Sequence, residues 1–272
     1  MPVVNSSPRR PHVSQVQKGL TPHARIRNVI AVGSGKGGVG KSTTSVNLAV
    51  ALQQLGARVG VLDADIYGPS VPAMLGLSGR PESPDNKSIE PLRAFGVDTM
   101  SIGYLIEEDT PMIWRGPMAT SAMTQLFNDT LWDDLDFLLI DLPPGTGDVQ
   151  LSLGQKSDLT GAIVVSTPQD VALIDAKKAL DAFATLKVPV LGLIENMSTF
   201  HCPNCGHEAH IFGHGGVAAE ASRLGLPVLA DLPIDLDTRL AGDAGTPVAL
   251  GEGPMAQAYA TLARRMIDTG VV

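Results

Sequence analysis

Short apolar runs alternate with longer stretches of mixed polarity from residue 28 to the end of the chain. Seven runs have the length and β-branched character of strands: Val29–Val32, Val59–Leu62, Thr99–Ile102, Phe137–Ile140, Ile163–Ser166, Val190–Ile194 and Val228–Leu229. Helical stretches are predicted between and after them, notably Lys41–Leu55, Val171–Leu186, Gly216–Leu224 and Met255–Ile267. Runs that are apolar at every position are typical of parallel strands covered on both faces. The pattern predicts an α/β fold, a doubly wound, mostly parallel sheet with helices on both faces.

The same pattern divides the chain into two parts. Residues 1–27 contain five basic residues, four prolines and no acidic residue. We interpret them as a flexible tail. A mitochondrial transit peptide is the alternative, although prolines at this density oppose the amphipathic helix that it needs. Residues 28–272 are predicted to form a single ATPase domain, with an insertion near 200–216 that is rich in Cys, His and Gly.

Composition excludes several classes of protein. The chain has 272 residues, of which 44% are hydrophobic and 18% charged, so it can bury a core. No apolar run reaches the roughly 18 residues of a membrane span. The net charge of −8 argues against a general nucleic-acid binder, which needs a basic surface. Both cysteines lie in one CxxC, which leaves no disulfide framework and suits a reducing compartment.

A phosphate-binding motif follows the first predicted strand. The segment from Gly35 to Ser42 satisfies G-x-x-x-x-G-K-[ST]. Glycines let backbone N–H groups converge on phosphate oxygens, and the next helix adds its N-terminal dipole. We expect Lys41 to neutralise phosphate charge and Ser42 to ligate Mg²⁺. The predicted ATP contacts here are Gly35, Lys36, Gly37, Gly38, Val39, Gly40, Lys41, Ser42 and Thr43.

Aspartates follow two of the other predicted strands. Asp63 and Asp65 end the second strand, and Asp141 ends the fourth. Ligands of open α/β sheets bind at the carboxyl ends of strands, so Asp141 is the predicted Walker B ligand of the magnesium shell. Asp63 could hold magnesium-bound water, and Asp65 could orient the attacking water. The alternative for each is an aspartate that caps the next helix. The loop 142–148 is predicted to move with the γ-phosphate.

Lys36 lies inside the phosphate-binding motif and indicates which class of P-loop ATPase the chain resembles. Lys-Gly-Gly-Val-Gly-Lys-Ser resembles the deviant Walker A of the dimeric ParA/MinD ATPases. That resemblance implies that Lys36 reaches across a homodimer to the partner's nucleotide. Lys36, Lys41 and Asp65 are therefore the predicted catalytic residues of a slow ATPase.

Within that class the chain most closely resembles the Mrp/ApbC family of iron–sulfur cluster carriers, including the mitochondrial branch that supplies complex I. The resemblance rests on segments 63–70, 114–118, 141–148, 166–170, 195–198 and 202–205. Two departures are clear: the extra N-terminal domain of many bacterial members is replaced by residues 1–27, and the N-terminal cysteine cluster of the eukaryotic cytosolic branch is missing. The family further implies that Asn196 recognises adenine with the help of Pro233 and Asp235. The alternative for Asn196 is a strand-end amide bonded to local backbone.

The pair Cys202 and Cys205 is a weak motif by itself. It could be a redox pair, half of a zinc site or half of a cluster site. Nearby histidines leave open a zinc site of Cys202, Cys205, His207 and His210, although the spacing from Cys205 to His207 is short for one. Surface histidines are the plainer alternative. A cubane cluster needs four thiolates and one chain supplies two, so two chains would complete it. The deviant P-loop implies the same dimer.

The predicted function is an ATP-dependent carrier that holds a 4Fe–4S cluster between two subunits and passes it to apo-proteins. Its cofactors would be ATP, Mg²⁺ and the cluster, and its partners apo iron–sulfur proteins and cluster-assembly machinery, with no nucleic acid or membrane. One rival is a ParA/MinD-type positioning ATPase, and another is a zinc-stabilised ATPase without a cluster role. Bacterial cytoplasm is the preferred compartment, and a mitochondrial matrix is the alternative.

Overall fold

A computed structural model describes residues 25–106, 116–147, 150, 152–154 and 158–268. Most of the predicted tail lies outside these residues, as do Trp114, Arg115 and Asp148 of the family segments. Within the described residues, no helix has both the length and the apolar character needed to cross a membrane.

The described strands form one sheet. They are β1 (Ile26–Gly33), β2 (Val59–Asp63), β3 (Leu92–Ala94), β4 (Val97–Ser101), β5 (Leu135–Asp141), β6 (Gly161–Ser166), β7 (Val190–His201), β8 (Glu208–Ala209) and β9 (Val228–Ile234). Their order is β3-β4-β2-β5-β1-β6-β7-β8, and β9 also pairs with β7. Two pairings are antiparallel, β3 with β4 and β8 with β7, and the others are parallel.

Helices cover both faces of this sheet. They are α1 (Lys41–Gln54), α2 (Val71–Met74), α3 (Gly116–Asp129), α4 (Asp170–Thr185), α5 (Gly216–Leu224), α6 (Leu236–Asp243) and α7 (Pro254–Asp268), with single 3₁₀ turns at Ile102–Tyr104 and Val248–Leu250. Alternate residues of β5 point to opposite faces. Phe137 and Leu139 share a core with α1 and α7, whereas Leu138 and Ile140 share one with α3, α4 and α5. The predicted doubly wound α/β fold is therefore confirmed.

Several elements differ from the predictions: β3, β8, α2, α3 and α6 are additional elements, and β7 and β9 extend beyond their predicted ends. Strand β7 continues seven residues beyond the predicted end at Ile194, because the polar residues that follow are buried as strand residues: Glu195, Asn196 and Ser198 are 4%, 9% and 1% exposed. Helix α3 was not predicted, because its Gly-Pro start is typical of a loop. Tertiary packing overrides the local signal in both places.

The sheet register brings the candidate residues together. Strand β5 lies between β1 and β2, and Asp141 is paired with Val32 on one side and Asp63 on the other. The loop after β1, the end of β2 and the end of β5 therefore meet at the carboxyl edge of the sheet. The parallel strand β7 runs in the same direction, so the cysteine segment that follows it leaves from that edge too.

Candidate functional site

The loop between β1 and α1 requires its glycines. Gly38 and Gly40 have φ angles of 78° and 83°, in the left-handed region that favours glycine. A Cβ atom at Gly35 would collide with the backbone of Asp175 and Ala176 in α4, and one at Gly40 would collide with the side chain of Asn196. The loop is thus a close-packed backbone cradle at a helix N-terminus, which suits phosphate oxygens.

A buried polar network lies under this cradle. The Lys41 Nζ atom is 2.7 Å from Asp141 Oδ2, and the two side chains are 6% and 0% exposed. The Ser42 hydroxyl donates to the same Asp141 oxygen at 2.6 Å. The Ser45 hydroxyl donates to Asp141 Oδ1 at 2.7 Å. The carboxylate is therefore fixed beside a serine hydroxyl, an oxygen pair of the kind that magnesium sites use.

Asp63 is held by its own loop. Its carboxylate accepts hydrogen bonds from the backbone N–H groups of Asp65 at 3.1 Å and Val71 at 3.2 Å, and from the Ser101 hydroxyl at 3.1 Å. Burial raises the pKa of Asp63 to about 7, and the neighbouring Asp141 carboxylate adds to that shift. In the structure, Ser42 is therefore hydrogen-bonded to Asp141, whereas Asp63 is hydrogen-bonded to the loop after β2.

Asp65 lies nearer to solvent than the other two aspartates. Burial raises the pKa of its carboxyl group, and the positive charge of Lys41 opposes that shift. Asp65 follows the end of β2 at the carboxyl edge of the sheet. Its predicted role in orienting water stays a prediction.

The predicted adenine contacts have structural partners of their own. The Asn196 amide donates to the backbone oxygen of Val39 in the cradle at 2.8 Å. Asp235 caps α6, because its carboxylate accepts hydrogen bonds from the Thr238 N–H at 2.7 Å and from the Thr238 hydroxyl at 2.6 Å. Pro233 lies in β9, two residues before that cap. Adenine recognition by these residues stays a prediction.

The two cysteines lie in the turn of a hairpin that joins β7 to β8. Phe200 and His201 pair with Ala209 and Glu208 at its base. In the turn, the Cys202 N–H donates to the His207 oxygen and the Gly206 N–H donates to the Cys202 oxygen, both at 2.9 Å. Cys205 is exposed and Cys202 is partly exposed. Pro203 and Gly206 lie within this short turn.

Backbone amides in this turn stabilise a thiolate. The N–H groups of Asn204 and Cys205 donate to the Cys202 sulfur and lower the pKa of its thiol, and the Cys205 thiol acts in the same direction. A thiolate is the form that nucleophilic and metal-binding cysteines use. The local backbone therefore favours the thiolate form of Cys202 at the protein surface.

The nearby histidines have other neighbours. His210 Nδ1 is 3.3 Å from the Ser198 oxygen, and its ring centroid is 4.2 Å from that of His214. Over the described part of the chain, no three Cys, His, Asp or Glu side chains converge in a way that could hold a metal ion. The one-chain zinc site of Cys202, Cys205, His207 and His210 is therefore not formed in this structure.

Comparison with known proteins places the chain in a family. Residues 25–267 match the family model described as "ParA: NUBPL iron-transfer P-loop NTPase". The chain belongs to this family. The resemblance to cluster-carrier ATPases inferred from the motifs is thereby confirmed, and so is a P-loop fold for nucleotide binding.

Individual members of the NUBPL-type family agree with this assignment. An "Iron-sulfur cluster carrier protein" of Haemophilus influenzae is 56% identical to this chain. The matched region covers 89% of this chain and 66% of that relative's own length. The "Iron-sulfur cluster transfer protein NUBPL" of Mus musculus is 49% identical over 89% of this chain and 77% of its own length. A nucleotide-binding protein of Archaeoglobus fulgidus, solved with ADP, has a TM-score of 0.72 and 39% identity over 81% of this chain and 87% of its own.

The structure also identifies polar residues that the motifs did not single out in this NUBPL-type chain. Ser45 fixes Asp141, and Gln169 accepts a hydrogen bond from Lys36 Nζ at 3.0 Å. The Thr167 hydroxyl is buried without a hydrogen-bond partner in the described part of the chain. Ser45 lies one turn after Lys41, which places both side chains on one face of α1, so helical spacing could have indicated it. Gln169 lies 133 residues from Lys36 in the sequence, and no local pattern reveals their contact.

Proposed function

We propose that this chain is a slow ATPase that, as a homodimer, holds a 4Fe–4S cluster between two subunits and transfers it to apo-proteins. One observation carries the proposal: the glycine cradle after β1 and the cysteine turn after β7 leave the same edge of one sheet. A second chain that approaches this edge meets both sites at once. The names of the relatives from H. influenzae and M. musculus, a cluster carrier and a cluster transfer protein, support the same role.

The nucleotide half of the proposal follows from the buried network. The backbone of residues 35–43 would enclose the phosphates of ATP, and Lys41 would move its charge from Asp141 to their oxygens. Ser42 and Asp141 would hold Mg²⁺, whose charge offsets that of the phosphates when it is bound. Asp65 would orient the attacking water, and Asp63 would support the outer magnesium shell. Lys36 of one chain would act on the nucleotide of the other.

The cluster half follows from the stoichiometry of thiolates. Each chain offers Cys202 and Cys205 on an exposed turn, and a two-fold axis between two such turns brings four sulfurs together. A cluster at such a surface is open to solvent and to an acceptor. The proposed partners are therefore apo iron–sulfur proteins and the machinery that assembles clusters. We place this activity in bacterial cytoplasm, with a mitochondrial matrix as the alternative, and assign it to the domain of residues 28–272.

Transfer of a cluster to an acceptor tests this function directly. Protein reconstituted anaerobically with iron and sulfide is mixed with an apo 4Fe–4S enzyme, and the recovered activity of that enzyme is followed over time. The proposal predicts recovery with wild-type protein and none beyond that of free iron and sulfide with Cys202→Ala or Cys205→Ala. Equal recovery with the cysteine variants would overturn the carrier role.

A further inference from the structure

Lys36, the lysine assigned to the partner's nucleotide, is held within its own chain at both ends. Its backbone oxygen accepts a hydrogen bond from the Ser34 hydroxyl at 2.9 Å, and the Ser34 backbone oxygen accepts one from the Gly145 N–H at 2.9 Å. Its Nζ atom donates to Gln169 Oε1 at 3.0 Å. The side chain therefore has a defined position within its own chain.

The acceptor in this contact is placed by a rigid element. Gln169 occupies the N-cap position of α4, yet its side chain makes no capping hydrogen bond to that helix. Helix α4 packs so closely on the cradle that Gly35 has no room for a Cβ atom against the backbone of Asp175 and Ala176. The Gln169 amide is thus directed away from its own helix and toward Lys36.

The chemistry of the contact allows release. A neutral amide oxygen holds an ammonium group less strongly than a carboxylate does, because no opposite charge is present. Lys36 and Gln169 are both partly exposed, which weakens the bond further. A phosphate group, which carries full negative charge, can therefore compete successfully for the same lysine.

We propose that Gln169 is a positioning residue that retains Lys36 in its own chain until a partner's nucleotide displaces it. This proposal rests on the proposed function, in which Lys36 acts across the dimer. A chain is competent to pair only when its lysine is free. The affinity of the ATP-bound dimer is therefore reduced in proportion to the fraction of chains whose lysine is free. Loss of one hydrogen bond of ordinary net strength changes the dimer dissociation constant about fivefold. Because each dimer contains two such lysines, the combined effect is up to about 25-fold.

Two substitutions at Gln169 should act in opposite directions. Gln169→Leu removes the acceptor at similar size, so the dimer formed with Mg²⁺ and a non-hydrolysable ATP analogue should dissociate at roughly 5- to 25-fold lower concentration. Gln169→Glu adds a charge that retains Lys36 more strongly, so the dimer should be weaker. Sedimentation velocity over a range of protein concentrations measures both effects. The protein concentration that gives half-maximal ATP turnover should fall in Gln169→Leu and rise in Gln169→Glu.

The controls separate this proposal from the function on which it rests. Lys178→Ala removes an exposed ion pair with Asp175 on the same helix, without touching Lys36, and should change neither readout. In a Lys36→Ala background, Gln169→Leu should no longer affect dimer affinity. If Lys36→Ala retains full turnover, the trans role itself fails. If Lys36→Ala loses turnover but Gln169→Leu and Gln169→Glu leave dimer affinity unchanged or shift it in the same direction, the retention by Gln169 is overturned.

Discussion

The nucleotide site and the cysteine turn lie at one edge of the sheet but are built in opposite ways. In the first, Lys41, Ser42 and Ser45 all hydrogen-bond to one buried carboxylate. In the second, Cys202 and Cys205 lie on a solvent-exposed turn whose hydrogen bonds are mostly those of its own backbone. One site is a buried network of side chains within a chain, and the other is an exposed pair of thiols.

This difference matches what the proposed function asks of each site. In the buried network each charge has a partner, since an unpaired charge there would be costly. An exposed pair of thiols can be completed by another chain and can give its ligand up again. Under the proposed function, nucleotide binding would be encoded in the monomer, whereas cluster binding would be encoded in the assembly.

Lys36 breaks this division, because it lies in the nucleotide loop but is assigned to the partner's site. A cation supplied in trans stabilises the transition state of phosphoryl transfer, so Lys36→Ala should lower ATP turnover by about 10³-fold and preserve most ATP binding. Mixed with Asp65→Ala chains, it should regain turnover through one hybrid site with both groups intact. Steady-state phosphate release measures this. No recovery in confirmed heterodimers would place Lys36 in its own chain's site.

A substitution at Lys41 tests the nucleotide site. Lys41→Ala removes a charged contact to the phosphates and leaves Asp141 without its buried partner. ATP affinity should fall by about 1.5–3 kcal/mol, or roughly 10- to 150-fold, as measured by titration calorimetry with Mg²⁺. Cys202→Ala is the matched control and should bind ATP like wild type. Unchanged affinity in Lys41→Ala would contradict the assignment of Lys41 to the phosphates of ATP.

The buried carboxylates should make stability depend on pH in the metal-free protein. Because the pKa of Asp63 is raised to about 7 in the folded state, the folded chain binds the extra proton between about pH 4 and pH 7. This stabilisation is lost as pH rises through 7, and the loss between pH 5.5 and pH 8 is on the order of 2 kcal/mol. Urea unfolding at pH 5.5 and pH 8 should show this decrease for wild type and a smaller one for Asp63→Asn. Equal decreases would exclude Asp63 as the group responsible.

Ser45 gives the smallest expected effect and refines the account of the magnesium ligands. Ser45→Ala removes the hydrogen bond that fixes Asp141 Oδ1. A loss of about 1 kcal/mol should raise the Mg²⁺ concentration for half-maximal turnover roughly fivefold. Thr261→Ala, which removes an exposed helix hydroxyl far along the chain in α7, is a control that should leave it unchanged. No difference between the two variants would mean that Asp141 does not need Ser45 for its orientation.

Sequence patterns predicted the fold and the cradle better than they predicted the contacts between distant residues. The seven apolar runs and the P-loop are local signals. Strand β7 is longer than predicted, because the polar residues Glu195 and Asn196 are buried within it. The Lys36–Gln169 contact depends on how α4 packs against the loop after β1, a relation that no local pattern contains. The histidines near the cysteines suggested a metal site, but side-chain packing directs His210 toward Ser198 and His214.

The central claim is that two chains share one cluster through Cys202 and Cys205. The direct measurement is iron and sulfide content together with mass in solution, on anaerobically reconstituted protein. The account predicts about four irons per dimer, with a broad absorption band near 400 nm, and loss of both in either cysteine variant while ATP binding persists. Four irons on a protein that remains monomeric would contradict it, and so would a cysteine variant that keeps the full cluster.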